Sequence, residues 1–196
     1  MQKSIVLKAI LESFPLNGKA PSKWELAQIL GLSDIAEVTS YLDELERDDA
    51  ILRDKRTGEI IVAYPYSSGE TRHRVTVAER MNVWAMCAID ALGIHFMVRK
   101  DTRIESTCPQ LGIPIIIHLH KGGVSSVEPS TTVVWRTDKR ADECHDATTC
   151  CPGTNFFSSC EALEQWKRRR RDASGEFFTL QRAVARGQAL FGHLLQ

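Results

Sequence analysis

With 196 residues, 43% of them hydrophobic and 26% charged, the chain suits one ordinary domain or a small domain joined to a larger one, with a buried core. Lys plus Arg and Asp plus Glu both number 25, so overall charge gives no reason to expect nucleic acid or an acidic membrane as partner. The longest aliphatic run, residues 113–119, contains Pro114 and His118 and is too short to span a bilayer. Lys8 interrupts the only apolar stretch near the N-terminus, which has no signal-peptide layout, so the expected location is cytoplasmic.

Residues 4–14 form a short amphipathic pattern that Pro15 and Gly18 should break. Pro21-Ser22 opens a second predicted helix that stops at Gly31. Asp34 can cap a third, with Ile35, Val38, Leu42 and Leu45 at helical spacing. Residues 51–53, a turn at 56–58 and residues 59–63 read as a β-hairpin. Three short helices followed by a hairpin is a winged-helix arrangement. Its third helix argues against DNA, since Asp34, Glu37, Asp43, Glu44 and Glu46 face one base, Arg47. Residues 1–66 carry 11 acids against 8 bases, whereas a helix entering a groove must neutralise phosphates. Residues 1–64 are therefore expected to pack over the rest of the chain or form a lid, without binding DNA, and the polar stretch 65–75 is expected as a linker.

Thr76-Val77-Ala78-Glu79 has capping-box form and predicts a helix running through Asp90, with Gly93 just past its end. Cys87 and Asp90, three residues apart, share one face of it. A thiol beside a carboxylate near Trp84, Met86 and Ile89 suggests a site. The alternative is a small buried Cys next to a solvent-facing Asp. Strands are then predicted at 102–106, 113–120, 124–127 and 131–136, and residues 137–149 are polar and irregular. Pro152 and Gly153 place Cys150 and Cys151 in a loop. Ser158-x-x-Glu161 should start a helix that ends in the basic run 167–171, where cations suit the helix dipole. A short strand at 177–180 and a helix at 181–195 close the chain. The predicted fold class is α+β: a winged-helix-like domain over 1–64, then a domain over 76–196 of antiparallel or mixed strands flanked by helices.

Cys87, Cys108, Cys144, Cys150, Cys151 and Cys160 would be kept reduced in a cytoplasmic protein, which favours thiol chemistry or metal binding over a disulfide framework. No C-x-x-C pair provides a zinc-knuckle spacing.

Three separated stretches resemble the organomercurial (alkylmercury) lyases. They are Trp84-Ala85-Met86-Cys87-Ala88-Ile89-Asp90; Thr102–Cys108, with Gly112-x-Pro114 and Val127-Glu128-Pro129 behind it; and Cys151-x-x-x-x-Phe156-Phe157, followed by a helix containing Trp166. The ending Gly187-Gln188…Phe191…His193-Leu194-Leu195 is also similar. The resemblance covers roughly residues 73–196, and an acidic winged helix agrees with the family's N-terminal domain.

This resemblance implies cleavage of carbon–mercury bonds, with Cys87, Asp90 and Cys151 as catalytic residues that also hold the mercury of substrate and product. A gapless count back from Phe156-Phe157 selects Cys151, and a shift of one residue would select Cys150. Cys108 matches a cysteine regarded as structural. Mercury is soft and prefers thiolates. Two of them push electron density onto the carbon, and a carboxyl in a dry pocket can relay a proton to it. Placed near the helix C-terminus, Cys87 would gain nothing from the dipole, so metal binding itself must deprotonate it. The implied co-substrates are low-molecular-weight thiols, the product is Hg(II), and a mercuric reductase is an implied recipient; no cofactor, nucleic acid or membrane is expected. Two alternatives stand beside this reading. One is a winged-helix metal or thiol sensor using Cys108, Cys144, His145, Cys150 and Cys151, and the other is a homologue that binds soft metals without cleavage.

Overall fold

A computed structural model describes residues 3–138, 146–170 and 174–196. Helix α1 (Lys3–Asn17) continues two residues beyond Pro15 before Gly18 ends it with φ 69°. Helix α2 (Lys23–Leu30) opens with a reciprocal capping box, in which the Glu25 N–H donates to Ser22 Oγ and the Ser22 N–H donates to the Glu25 carboxylate; left-handed Gly31 closes it. Asp34 caps α3 (Ile35–Arg47), which buries Val38, Leu42 and Leu45. Some of its acidic charge is used internally, because Arg53 lies 2.6 Å from both Asp43 and Glu46.

Eight antiparallel strands then make one continuous sheet. In chain order they are β1 (Ile51–Arg53), β2 (Ile60–Ala63), β3 (Tyr66–Ser67), β4 (His73–Val77), β5 (Met81–Ala85), β6 (Thr102–Thr107), β7 (Pro114–His120) and β8 (Gly123–Glu128). Their spatial order is β1-β2-β3-β5-β4-β6-β7-β8. The stretch 65–75, expected as a linker, lies within this sheet: β3 pairs with both β2 and β5, and His73 opens β4.

The largest departure from expectation follows. Residues 76–87 are not helical. His73, Val75 and Val77 are buried while Arg74 is exposed, the alternation of a half-buried strand, and Val83 and Ala85 repeat it on β5. Thr76-x-x-Glu79 is part of a hairpin, in which Ala78 and Glu79 turn the chain with φ 49° and 60° and the Arg80 N–H donates to the Val77 carbonyl. The helix begins only at Ala88: α4 (Ala88–Val98) has Cys87 as its N-cap and ends at left-handed Arg99. Gly93 is therefore mid-helix. A β-carbon there would lie 2.2 Å from Phe191 Cδ2, and one at Gly187 would lie 2.9 Å from the Gly93 nitrogen and 3.0 Å from the Ile89 carbonyl oxygen. The two glycines let α4 cross α6 (Leu180–Phe191) at close range.

A second sheet, ordered β10-β9-β11, is built from β9 (Val133–Thr137), β10 (Asn155–Phe157) and β11 (Gly175–Thr179). Between β9 and β10 lies a single 3-10 turn, Cys151–Gly153. Helix α5 (Cys160–Arg169) starts one residue later than expected, capped by Ser159, whose Oγ accepts from the Ala162 N–H. Its basic end packs on aromatic rings, with Lys167 5.0 Å from the Trp135 centroid and Arg170 4.8 Å from that of Trp166. Arg171 lies outside the described residues. The architecture is thus α+β, a large antiparallel sheet with six described helices, none of them long and apolar enough to cross a membrane.

Candidate active site

The chain leaves β5 and enters α4 through Met86 and Cys87. Cys87 is extended (φ −147°, ψ 179°), its carbonyl accepts from the Ala91 N–H, and its side chain makes no cap hydrogen bond with the helix, which leaves the sulfur to face a cavity. Asp90 is the third residue of the helix, so its carboxyl returns towards the cap, where acidic groups suit the helix start. The Ala88 N–H donates to the Thr154 carbonyl, which ties the helix start to the turn that carries Cys151.

Cys87, Asp90 and Cys151 thus come together although 61 residues separate the last two. Their Sγ, carboxylate oxygen and Sγ all lie within 4.8 Å of one another, and all three residues are buried. The Cys151 thiol donates to Asp90 Oδ2 across 3.9 Å. Cys150 lines the same cavity but stands outside this cluster. Cys108 is elsewhere, accepting from Ser158 Oγ at 3.5 Å, and Cys160 is exposed at the start of α5. The sensor alternative needs Cys144 and His145, which lie outside the described residues.

The cavity encloses about 230 Å³. Of the apolar residues in the cysteine-bearing motifs, Trp84, Met86, Phe156 and Phe157 do not line it, and Ile89 does. Tyr64, Ile89, Leu190 and Phe191 form its apolar walls. Strand geometry gives the reason: Trp84 stands on β5 opposite Arg74 and Ser67, and Phe157, on β10, packs edge-on against Trp166. Asp49, Arg136, Asp146 and Arg186 add charge to the lining. Sequence reasoning passed over these four and Tyr64, because each is polar or aromatic in a segment with no motif and only the fold brings them together. The Tyr64 hydroxyl is buried and has no hydrogen-bond partner among the described residues.

Burial dominates the electrostatics. It raises the Asp90 carboxyl to about 7 against the pull of Cys87, whose contacts favour the charged form. Burial also lifts the Cys87 thiol to about 11, opposed first by its contact with the Cys151 side chain. The dipole expectation for Cys87 is reversed, since the sulfur sits at the helix N-terminus, where the helix dipole favours a thiolate. The neighbouring thiols of Cys150 and Cys87, together with burial, hold Cys151 protonated well above the ordinary thiol range. At neutral pH the arrangement is two protonated thiols around a carboxyl that can gain or lose a proton with little bias. That combination can take up a soft cation and redistribute the protons it displaces.

The family model described as alkylmercury lyase matches residues 66–192. The alkylmercury lyase of Bacillus cereus is 35% identical over 96 residues, which cover 49% of this chain and 43% of that protein. The alkylmercury lyase of Staphylococcus epidermidis is 30% identical over 115 residues, covering 58% and 52%. The chain spans about half the length of the curated relatives it matches. Among solved structures, the mercury-bound form of MerB2 superposes with a TM-score of 0.82 at 26% identity, covering 99% of this chain and 91% of that one.

Proposed function

The chain belongs to the alkylmercury lyase family, and from that premise we propose that it cleaves carbon–mercury bonds by protonolysis, giving a hydrocarbon and Hg(II) held by two thiolates. The observation that carries this reading is the buried cluster of two thiols and one carboxyl within 4.8 Å. The organomercurial enters as its adduct with a small thiol. Cys87 displaces that thiol, and its proton leaves on the departing thiolate. As the Cys151 sulfur binds the same mercury, its proton passes along the 3.9 Å S–H···O contact to Asp90. Asp90 then delivers it to the carbon, the carbon–mercury bond breaks, and mercury remains between Cys87 and Cys151. A carboxyl raised to about 7 suits both halves of this relay, because it is basic enough to accept the proton and acidic enough to give it up. Mercury is substrate and product here, and the mechanism calls for no resident metal or organic cofactor.

We assign the finer features on the same footing. Cys87, Asp90 and Cys151 are the catalytic residues, and Cys151 rather than Cys150 is the second thiolate. Residues 1–64 form a winged-helix-like unit that closes the cavity through Asp49 and Tyr64 without binding DNA. Low-molecular-weight thiols of the cytoplasm regenerate the site, and a mercuric reductase receives the Hg(II).

The test is incubation with phenylmercury and excess thiol in D₂O. Benzene carrying one deuterium is the expected product. Mercury uptake without benzene would identify a soft-metal-binding homologue and end the lyase reading.

A further inference from the structure

The turn that carries Cys151 has little regular structure, and its hydrogen bonds converge on one residue. The Asp146 carbonyl accepts from the N–H groups of Thr149, Cys150 and Cys151 at 3.2, 3.1 and 2.9 Å. The far side of the turn is tied down separately, with Thr154 Oγ1 donating to the Cys150 carbonyl and accepting from the Thr137 N–H. The near side reaches across the molecule, where the Asp146 N–H donates to Asp49 Oδ2 at 3.1 Å, over 97 residues of sequence. Asp49 stands just past α3 with φ 57°, a conformation that Asp and Asn tolerate better than most residues. It lines the same cavity as the two thiols.

We infer that Asp49 is a positioning residue for the second thiol: its carboxylate latches Asp146, and through it the cysteine turn, so that the N-terminal segment sets where the Cys151 sulfur stands relative to Cys87 and Asp90. This rests on Cys151 being the second thiolate. The latch has a physical purpose. Cys87 and Asp90 are held three residues apart by helix geometry, whereas Cys151 has no such frame, and near-attack geometry fails with misplacements on the scale of an ångström. A hydrogen bond to a charged acceptor is strong enough to hold a short turn against such drift.

Two substitutions isolate the acceptor. Asp49→Gly removes it while suiting the positive φ, so the fold is retained; Asp49→Asn keeps an acceptor oxygen and tolerates the same φ. Each protein is labelled with iodoacetamide, each cysteine is followed by peptide mass, and benzene release from phenylmercury is measured alongside. In Asp49→Gly, Cys150 and Cys151 should label about tenfold faster than in the wild type, and cleavage should fall about tenfold or more. In Asp49→Asn both should fall between wild type and Asp49→Gly, because an acceptor oxygen survives but its charge does not. Buried Cys108, away from the cavity, is the internal control: labelling that rises there as much as at Cys150 and Cys151 means general unfolding and overturns the latch. It is also overturned if Cys151 labelling is unchanged in Asp49→Gly, or if Asp49→Asn behaves like Asp49→Gly. Labelling reads the turn without any chemistry at mercury, so a wild-type protein that releases no benzene ends the lyase reading while the latch is still judged by labelling alone.

Discussion

The start of α4 and the turn at Cys150–Cys151 bring the same kind of atom to the same cavity on unlike supports. Cys87 and Asp90 belong to a helix whose residues Ala88–Met97 are all buried, so their separation follows from helix geometry and the surrounding core. Cys151 sits on one 3-10 turn held by hydrogen bonds to Asp146 and Thr154. The helix start offers a carboxyl and a thiol in fixed register, and the turn offers a thiol whose position depends on distant residues. Changes at the helix start should therefore alter chemistry with the frame intact, whereas changes around the turn should alter geometry.

The largest effect should come from removing either sulfur. Cys87→Ser and Cys151→Ser should each lower benzene release by at least about 10³-fold, because a held thiol is replaced by one that must arrive from solution. Cys150→Ser should leave most of the rate. Loss in Cys150→Ser with retention in Cys151→Ser would move the second thiolate by one residue and break the comparison as drawn.

Next comes Asp90→Asn, which keeps the shape of the helix start and removes its titrating proton. Cleavage should slow by about 10²–10⁴-fold while mercury uptake persists. The same substitution has a stability signature. With its folded pKa raised from 3.8 to about 7, Asp90 favours the folded state most below its ordinary pKa, and that contribution is lost as pH rises through about 7. Wild-type unfolding free energy in urea should thus fall from about pH 4 to about pH 7, by on the order of 4 kcal/mol across that whole window. Asp90→Asn should lack that component of the slope. A slope unchanged by the substitution would remove Asp90 as its origin.

The smallest expected effect concerns the frame. Gly187→Ala places a methyl 2.9–3.0 Å from α4 backbone atoms, which cannot swing aside as a side chain could. It should cost about 1–3 kcal/mol in urea unfolding. Because Ile89 is one of the residues it pushes, cleavage should weaken as well. A variant as stable as wild type would mean that the helix start is less rigidly framed than its burial suggests.

Some of this could be read directly from residues. Ser22, Gly31 and Asp34 mark helix ends by local hydrogen bonding and backbone freedom, so α2 and α3 stand where their signals put them. The strands from Thr102 to His120 follow from alternation, and the three-residue spacing of Cys87 and Asp90 survives although the helix starts much later than expected. The false start at Thr76 shows the limit of such signals. A capping-box pattern is only four residues, and pairing of β4 with β5 and β6 outweighs it. Gly93 misled for the same reason, as it serves a helix crossing that exists only once Phe191 arrives from the far end of the chain.

By itself the sequence determined which residue types are available for the chemistry, two cysteine-bearing motifs and an aspartate, together with the helices and strands whose signals lie within a few residues. Tertiary structure alone decided that Cys151 meets Asp90, that Tyr64 and Phe191 wall the cavity in place of Trp84 and Phe156, and that Asp49 reaches Asp146. Local signals depend on backbone dihedrals and hydrogen bonds between near neighbours. The proximity of residues 61 or 97 positions apart depends on how sheets and helices stack, and no short stretch of sequence encodes that stacking.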